Sequence, residues 1–313
     1  MFLVCGEALY DVFPDQGDNP ATFNMTARAG GSPFNVAIGL ARLGQQSALL
    51  TGISTDQLGN RLVQMLESES VNTDYLVRNG RRTTIVIVGV NEQGQPSYAF
   101  YGQGSADCSL SNESLPVIGD AVTGLHFGSY SLVMQPIADA FADLMKQMSD
   151  RFISIDPNIR PSIQPDMEVW RQRLWEYAEK ADLLKISAED VDYLYPGRDH
   201  EEFADALIKA GTQLVVITDG SSDVKCWTQS GLSVTRSPRV GKLVDTVGAG
   251  DTFQAALLTR LAQWGEPKQV IRSLSSEQLD ELMGFAVTAA AITCSRRGAD
   301  LPRLDEVLKE SKD

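Results

Sequence analysis

Short apolar segments alternate with longer amphipathic segments along most of the chain. The apolar segments, rich in Val, Ile and Leu, occupy residues 2–5, 47–52, 152–155, 183–186 and 214–218. They are hydrophobic on both faces, which is typical of central strands in a parallel sheet. Helical patterns occupy 33–43, 57–68, 136–149, 167–180, 200–210, 252–264 and 277–295. This alternation predicts βαβ units and an α/β fold around a mainly parallel sheet.

A different pattern interrupts this alternation between residues 81 and 104. β-Branched and aromatic residues fill 83–90 and 96–101, and the polar turn Asn91-Glu92-Gln93-Gly94 separates them. This arrangement predicts a β-hairpin. We expect the hairpin to form a small sheet with the segment at about 12–29. That sheet is either a lid over a substrate cleft or an ordinary edge hairpin, inserted into a single α/β domain that spans 1–313.

The charge balance narrows the classes of partner. Lys and Arg number 27 and Asp and Glu number 41 in the 313 residues, so the net charge is −14. This acidic excess argues against a nucleic-acid partner, which requires a basic surface. No apolar stretch reaches about 18 residues, and the apolar run at the N-terminus is too short for a signal peptide, so no membrane association is expected. The four cysteines form no CxxC pair, which favours a reducing cytoplasm over a disulfide framework or zinc site.

The segment richest in chemical information is Asp245-Thr246-Val247-Gly248-Ala249-Gly250-Asp251, which leads into the predicted helix 252–264. In such a turn the backbone N–H groups of Gly248, Ala249 and Gly250 can point at one spot. The positive end of the helix dipole adds to the attraction for an anion there. The sequence therefore predicts a phosphate-binding turn.

Asp251 stands at the mouth of this predicted anion site, where a carboxylate would repel a bound phosphate. A base is the natural role for it: Asp251 would accept the proton of a substrate hydroxyl as that oxygen attacks a γ-phosphoryl group. The structural alternative is a helix-capping aspartate. No GxxxxGK[ST], GxGxxG, His-Arg-Asp or Asp-Phe-Gly motif competes for the phosphate. The two histidines, His126 and His200, are expected to be structural.

Two strings more than 200 residues apart carry a family resemblance. Residues 245–251 resemble the C-terminal signature of the ribokinase/PfkB carbohydrate kinases, and Gly30-Gly31-Ser32-Pro33-Phe34-Asn35-Val36-Ala37 resembles their N-terminal signature. Shorter matches at 6–11, 42–44, 156–160, 218–220 and 297–299 extend the resemblance over nearly the whole chain. It implies a ribokinase-like three-layer α/β/α domain with a small β-sheet lid.

The resemblance also implies an activity, the transfer of the γ-phosphoryl group of ATP to a primary hydroxyl of a sugar. Within the family the motifs are most like those of the fructokinases, which implies D-fructose as substrate and D-fructose 6-phosphate as product. Kinases for 2-keto-3-deoxygluconate, ribose or a nucleoside remain alternatives because the family shares one phosphate machinery. A non-catalytic sensor of sugar or nucleotide is the alternative from another class.

For the sugar end, Asp11 follows the first strand and is expected at the carboxyl edge of the sheet, where open α/β folds bind ligands. Ser32 is predicted to cap the following helix, with Pro33 in the first helical position. By resemblance, Arg160 would contact the transferring phosphate. The residues implied to surround the sugar are Asp11, Gly30, Gly31, Asn35, Asn158 and, on the lid, Gln103.

For the nucleotide end, the resemblance implies that Thr218 and Gly220 lie next to the ATP phosphates. Cys294 would either border the adenine or be a small core residue. Mg²⁺ would bridge the phosphates, with Glu189 ordering it indirectly, although the Asn of the family's Asn-x-x-Glu motif is missing here. K⁺ near Asp245 and Val247 is left open, and a homodimer formed through the lid is expected.

Overall fold

Two β-sheets organise the computed structural model, which describes residues 1–15, 19, 21–90, 96–220, 222–238 and 241–311. The strands are β1 (Phe2–Cys5), β2 (Leu9–Pro14), β3 (Met25–Gly30), β4 (Ser47–Ser54), β5 (Leu76–Asn79), β6 (Ile85–Val90), β7 (Pro96–Tyr101), β8 (Gly124–Gly128), β9 (Phe152–Asp156), β10 (Leu183–Ser187), β11 (Leu214–Thr218), β12 (Val224–Thr228) and β13 (Ser233–Arg236). Among these residues, the larger sheet has nine strands in the order β13-β12-β11-β10-β9-β8-β1-β4-β5. The smaller sheet has four, in the order β3-β2-β6-β7.

The larger sheet is parallel from β11 to β5, and β12 and β13 continue it in antiparallel pairing. All five strands predicted from the apolar segments are present in it, which confirms the α/β prediction. Their carboxyl ends share one edge of the sheet, because parallel strands run in the same direction. Loops that follow these strands therefore meet at that edge.

Helices cover both faces of the larger sheet. They are α1 (Ser32–Arg42), α2 (Gln57–Ser68), α3 (Ile137–Gln147), α4 (Met167–Ala178), α5 (Ala188–Leu194), α6 (His200–Ala210), α7 (Ala249–Trp264), α8 (Pro267–Val270), α9 (Ser276–Cys294) and α10 (Leu304–Glu310). One hydrophobic core contains buried residues of α1, α2, α7, α9 and α10, and a second contains those of α3, α4, α5 and α6. The domain thus has three layers, as expected. None of the helices within the described residues is long and apolar enough to span a membrane.

Helix α7 differs from its predicted form in two ways. It begins at Ala249, three residues earlier than predicted, so Gly250 and Asp251 belong to its first turn. Its residues from Asp251 to Thr259 are all buried, because the helix packs against both α1 and α9. The prediction of an amphipathic helix with one apolar face is therefore wrong for this part of α7.

The smaller sheet contains both strands of the predicted hairpin, β6 and β7, which pair in antiparallel register. Strand β2 pairs with β6 in parallel and with β3 in antiparallel register. The predicted turn at 91–94 lies outside the described residues, as do residues 16–18 and 20 of the predicted segment 12–29. Because β2 begins at Leu9 and β1 ends at Cys5, the smaller sheet starts at the carboxyl edge of the larger one.

Candidate active site

The glycine-rich turn ahead of α7 is anchored by the side chain of Asp245. The Oδ1 atom of Asp245 accepts a hydrogen bond from the N–H of Val247 at 3.1 Å, and Oδ2 accepts one from the N–H of Gly298 at 2.8 Å. The carbonyl oxygen of Cys294, the last residue of α9, accepts from the N–H groups of Val244 at 2.8 Å and Asp245 at 3.2 Å. The turn is therefore fixed to the end of α9 and the loop that follows it.

Gly248 caps the N-terminus of α7 in the left-handed conformation, with φ 79°. A Cβ atom at this position would stand 2.7 Å from the Cβ of Ala299, so both backbone and packing require glycine. The N–H of Ala249 donates to the carbonyl of Thr246 at 3.2 Å within the turn. Within the described residues, Gly248 and Gly250 have N–H groups without such a bond, so these two, and not Ala249, are open to an anion.

Asp251 is held by two side chains from the first turn of α1. The Ser32 hydroxyl donates to Oδ1 of Asp251 at 2.7 Å, and the Asn35 amide donates to Oδ2 at 2.7 Å. The prediction that Ser32 is the N-cap of α1 is wrong. Gly31 occupies that position, and Ser32 is the first helical residue, with Pro33 next. The Ser32 hydroxyl serves the Asp251 carboxylate instead of the helix backbone.

The surroundings of Asp251 have opposing effects on the pKa of its carboxyl group. Burial raises the pKa of the Asp251 carboxyl, while the hydrogen bonds from Ser32 and Asn35 and the charge of Lys185 pull it down. Burial also raises the pKa of Asp11 to about 6, against the lowering effect of Arg160 and with a further raising effect of Asp251. The charge of Asp251 therefore acts on Asp11, and the pKa of each carboxyl group is higher than that of an ordinary aspartate.

Glycines leave room around these carboxylates on the sugar side. Asp11 is the third residue of β2, and a Cβ atom on Gly30, the last residue of β3, would stand 2.8 Å from its Oδ2. Gly31 has φ 106°, and a Cβ atom there would stand 2.9 Å from the carbonyl oxygen of Glu7. The structure thus brings together Asp11, Gly30, Gly31 and Asn35 with Asp251.

The remaining residues expected near the sugar lie at the rim. Asn158 and Arg160 follow β9 at the carboxyl edge. Asn158 is half-buried with φ 43°, and Arg160 is exposed, its guanidinium donating to the carbonyl of Ile159 at 2.9 Å. The charge of Arg160 acts on Asp11, which puts it on the same side of the site. Gln103 is exposed in the turn after β7.

On the expected nucleotide side, Thr218 ends β11 and pairs with Ser187 at the end of β10. Gly220 follows two residues later, exposed and with φ 50°. Cys294 is buried, and burial raises the pKa of its thiol. Thr218 and Gly220 thus lie at the same carboxyl edge as the glycine-rich turn.

Glu189 is exposed at the start of α5, where its carboxylate accepts a hydrogen bond from the Tyr193 hydroxyl at 3.0 Å. The buried acid of this segment is its neighbour Asp190, which sequence reasoning missed. Oδ1 of Asp190 accepts from the N–H of Ile159 at 3.1 Å, and burial raises its pKa to about 6. Across the described part of the chain, no three His, Cys, Asp or Glu side chains come together as a metal site.

An ion pair beneath the turn was also missed. The Nζ atom of Lys185 in β10 donates to Oδ2 of Asp156, the last residue of β9, at 2.6 Å, and both side chains are buried. A lysine inside the otherwise apolar strand 183–186 was the available signal. The position of its partner on the neighbouring strand depends on the strand order.

Comparison with known proteins identifies relatives over most of the chain. The model of the pfkB family of carbohydrate kinases matches residues 1–306. A fructokinase from Rhizobium leguminosarum bv. trifolii is 38% identical over 262 residues, which cover 83% of this chain and 79% of that protein.

Solved structures agree with this assignment. A fructokinase from Xylella fastidiosa with bound ATP superposes with a TM-score of 0.89 at 27% identity, covering 99% of this chain and 98% of that one. A double mutant of a fructokinase from Vibrio cholerae, with fructose, ADP and a potassium ion bound, superposes with a TM-score of 0.84 at 26% identity. The superposition covers 98% of this chain and 97% of that one.

Proposed function

The chain belongs to the pfkB family of carbohydrate kinases, and from this premise we propose that it is a fructokinase that converts D-fructose and ATP into D-fructose 6-phosphate and ADP. One observation carries the chemistry. Asp251, in the first turn of α7, has a buried carboxylate that accepts hydrogen bonds from Ser32 and Asn35 of α1. The turn that precedes it has two N–H groups, those of Gly248 and Gly250, that are open to an anion.

The reaction needs a base, an anion site and an acceptor pocket in line. Asp251 accepts the proton of the sugar hydroxyl while that oxygen bonds to the γ-phosphorus of ATP and the bond to the β-phosphate oxygen breaks. The N–H groups of Gly248 and Gly250, with the dipole of α7, stabilise the charge that develops on the phosphoryl oxygens. ADP leaves, and Asp251 later releases its proton to water. Arg160, at the rim, is proposed to neutralise the transferring phosphoryl group.

The sugar pocket is proposed to lie between the two sheets' ends, around Asp11. Its carboxylate would accept hydrogen bonds from sugar hydroxyls, and Gly30 and Gly31 would let the ring approach the backbone. Asn35 and Asn158 would supply further polar contacts. The choice of fructose rests on the relatives, since the rhizobial protein and the two solved structures described above are named fructokinases.

The nucleotide would enter beside the ends of β10 and β11, where Thr218 and Gly220 lie. Mg²⁺ bound to the phosphates supplies charge neutralisation when the nucleotide is present, and phosphate and water oxygens would make most of its coordination. Glu189 is proposed to act on it only through water.

A separate proposal concerns a monovalent cation. The Vibrio fructokinase is described with a bound potassium ion, and in this chain the carboxylate of Asp245 fixes its loop through the N–H groups of Val247 and Gly298. We propose that K⁺ binds this loop and raises turnover, which an assay with K⁺ replaced by tetramethylammonium tests. Equal rates in both salts would reject K⁺ activation.

The smaller sheet is proposed to act as a lid and as a dimer contact. Its exposed side chains include Phe23 before β3, Met25, Tyr98 and Tyr101. Light scattering of the purified protein tests the dimer, and Tyr101→Ser should shift it toward monomer. A wild-type protein that is monomeric at assay concentration would reject the dimer.

The four buried, free cysteines fit a reducing compartment, so we propose a cytoplasmic enzyme.

A coupled assay of ADP release tests the function. Wild-type protein with Mg²⁺-ATP is offered fructose, ribose, 2-keto-3-deoxygluconate, glucose and several nucleosides separately. We expect kcat/KM for fructose to exceed the others. A higher value for another acceptor would assign that acceptor as the substrate, and activity on none of them would reject the kinase proposal.

A further inference from the structure

The buried pair formed by Lys185 and Asp156 lies directly beneath the glycine-rich turn. A Cβ atom added to Gly250 would stand 3.0 Å from Nζ of Lys185, so the ammonium group touches the first turn of α7. Lys185 is 4% exposed and Asp156 is 1% exposed. The glycine at 250 therefore leaves space for a buried cation as well as for a phosphate.

A purely structural role does not account for this ion pair. A buried pair gives little net stability over apolar side chains, because both charges lose their hydration. A cation near the N-terminus of a helix is also opposed by the helix dipole. Moreover, Oδ1 of Asp156 is buried and has no hydrogen-bond partner among the described residues, so only one oxygen of this carboxylate is paired. The ion pair therefore contributes little to the stability of the fold, which suggests that the charge of Lys185 has a functional role.

The polar side chains around the pair form a layer between the sheet and α7. Gln254 of α7 donates to the Ser154 hydroxyl at 2.7 Å, and Nδ1 of His126 lies 3.2 Å from the same oxygen. Burial lowers the pKa of His126 to about 4, with Lys185 lowering it further against the raising effect of Asp156. His126 is therefore neutral at pH 7, and Lys185 carries the positive charge of this layer.

Several elements place charged or polar groups around Asp251. Helix α1 contributes the neutral donors Ser32 and Asn35, β2 contributes the carboxyl of Asp11, and β9 and β10 contribute Asp156 and Lys185. Three of these elements thus bring either a second carboxylate or no charge. Lys185 is the buried counter-charge among them, with Arg160 acting on Asp11 from the exposed rim.

We propose that Lys185, held in place by Asp156, is a positioning residue that keeps the Asp251 carboxylate ionised beside the phosphate site. The proposal rests on the proposed function for its biological meaning, since an ionised Asp251 is what the kinase mechanism needs. Its physical content does not depend on the identity of the sugar. Without Lys185, only the hydrogen bonds from Ser32 and Asn35 would oppose burial and the neighbouring carboxylates, so the balance would shift toward a protonated Asp251, which cannot accept the substrate's proton.

The test is a ¹³Cγ NMR titration of protein labelled at aspartate, with the Asp251 resonance assigned by its loss in Asp251→Asn. Removing only Lys185 would leave the Asp156 carboxylate as an uncompensated charge near Asp251, and that charge would itself raise the pKa of Asp251. The informative pair is therefore Asp156→Asn against the double variant Asp156→Asn/Lys185→Met. These two differ only in the lysine charge, and thermal unfolding verifies that both are folded.

We expect the pKa of Asp251 to be about one unit or more higher in the double variant than in Asp156→Asn. Lys185→Arg, which keeps the charge, should give a pKa close to that of the wild type. Equal Asp251 pKa values in Asp156→Asn and the double variant would overturn the proposal.

The same variants give a second readout through the pH dependence of kcat/KM for fructose. The acidic limb of the profile should move to higher pH in the double variant than in Asp156→Asn, whereas a merely structural role would lower kcat without moving the limb. If the wild type phosphorylates no sugar, the proposed function fails, while the NMR titration still decides the role of Lys185.

Discussion

Replacing Asp251 with asparagine removes the base while preserving most of its surroundings. The carboxylate now accepts one hydrogen bond from Ser32 and one from Asn35, both at 2.7 Å. The asparagine oxygen can still accept from the Asn35 amide. Its NH₂ group would face the Ser32 hydroxyl, which can turn to accept. Since both contacts survive, Asp251→Asn should fold and bind both substrates.

The catalytic loss then measures the base alone. A positioned general base contributes about 10²- to 10⁴-fold to turnover. That range corresponds to about 2.7 to 5.4 kcal/mol at 1.36 kcal/mol per tenfold change in rate. We therefore expect kcat of Asp251→Asn to fall by about that factor, with KM for fructose and the dissociation constant of ADP changed by less than about threefold.

The assay is ADP release with saturating fructose and Mg²⁺-ATP, with ADP affinity from calorimetry and stability from thermal unfolding. Asp139→Asn is the matched control, because Asp139 also lies in the first turn of a helix, α3, which packs in the other hydrophobic core, away from α7. It should keep full activity. Near-full activity of folded Asp251→Asn would refute the assignment of the base, and unfolding of that variant would refute the hydrogen-bond argument.

Further predictions concern the base's support, the sugar pocket and the turn. Ser32→Ala removes one hydrogen bond to the ionised base, so kcat/KM at pH 7 should fall about tenfold and its acidic limb should move to higher pH; an unmoved limb would contradict this. Because the pKa of Asp11 is raised to about 6, its carboxylate is present above that pH and lost below it. KM for fructose should therefore rise as pH falls through about 6 in the wild type and be high at all pH values in Asp11→Asn; a pH-independent wild-type KM would exclude this role. Gly248→Ala places a Cβ 2.7 Å from that of Ala299 at φ 79°, and should lower the free energy of unfolding in urea by about 1–3 kcal/mol. Gly231→Ala, at φ 84° with open space around it, should lower the free energy of unfolding less than Gly248→Ala does. Equal losses in the two variants would show that the contact with Ala299 is unimportant.

Sequence patterns were sufficient for the elements with strong local signals. The five apolar segments became strands of the larger sheet because runs of Val, Ile and Leu bury both faces. Strand β8, Gly124–Gly128, was missed because glycines bound it and His126 stands at its centre. Its strand conformation is imposed by pairing with β1 and β9. The short helix α5 was missed because seven residues carry too little periodicity.

The candidate site divides in the same way. The glycine-rich turn and Asp251 could be recognised because their chemistry lies in one contiguous string. The contact between Ser32 and Asp251 joins residues 219 positions apart, so the local Ser-Pro pattern suggested a helix cap instead. The pairing of Lys185 with Asp156 depends on β9 and β10 being neighbours, which no local pattern specifies.

The most direct test of fructose phosphorylation is a competition in one reaction. Wild-type protein and limiting Mg²⁺-ATP are mixed with equal concentrations of fructose, ribose, 2-keto-3-deoxygluconate and glucose, and the phosphorylated products are identified by ³¹P NMR. The proposed function predicts D-fructose 6-phosphate as the main product, formed about 10²- to 10⁴-fold more slowly when Asp251→Asn replaces the wild type. Another sugar phosphate as the main product would contradict fructose as the substrate. No product from folded, ATP-binding protein would contradict catalysis itself.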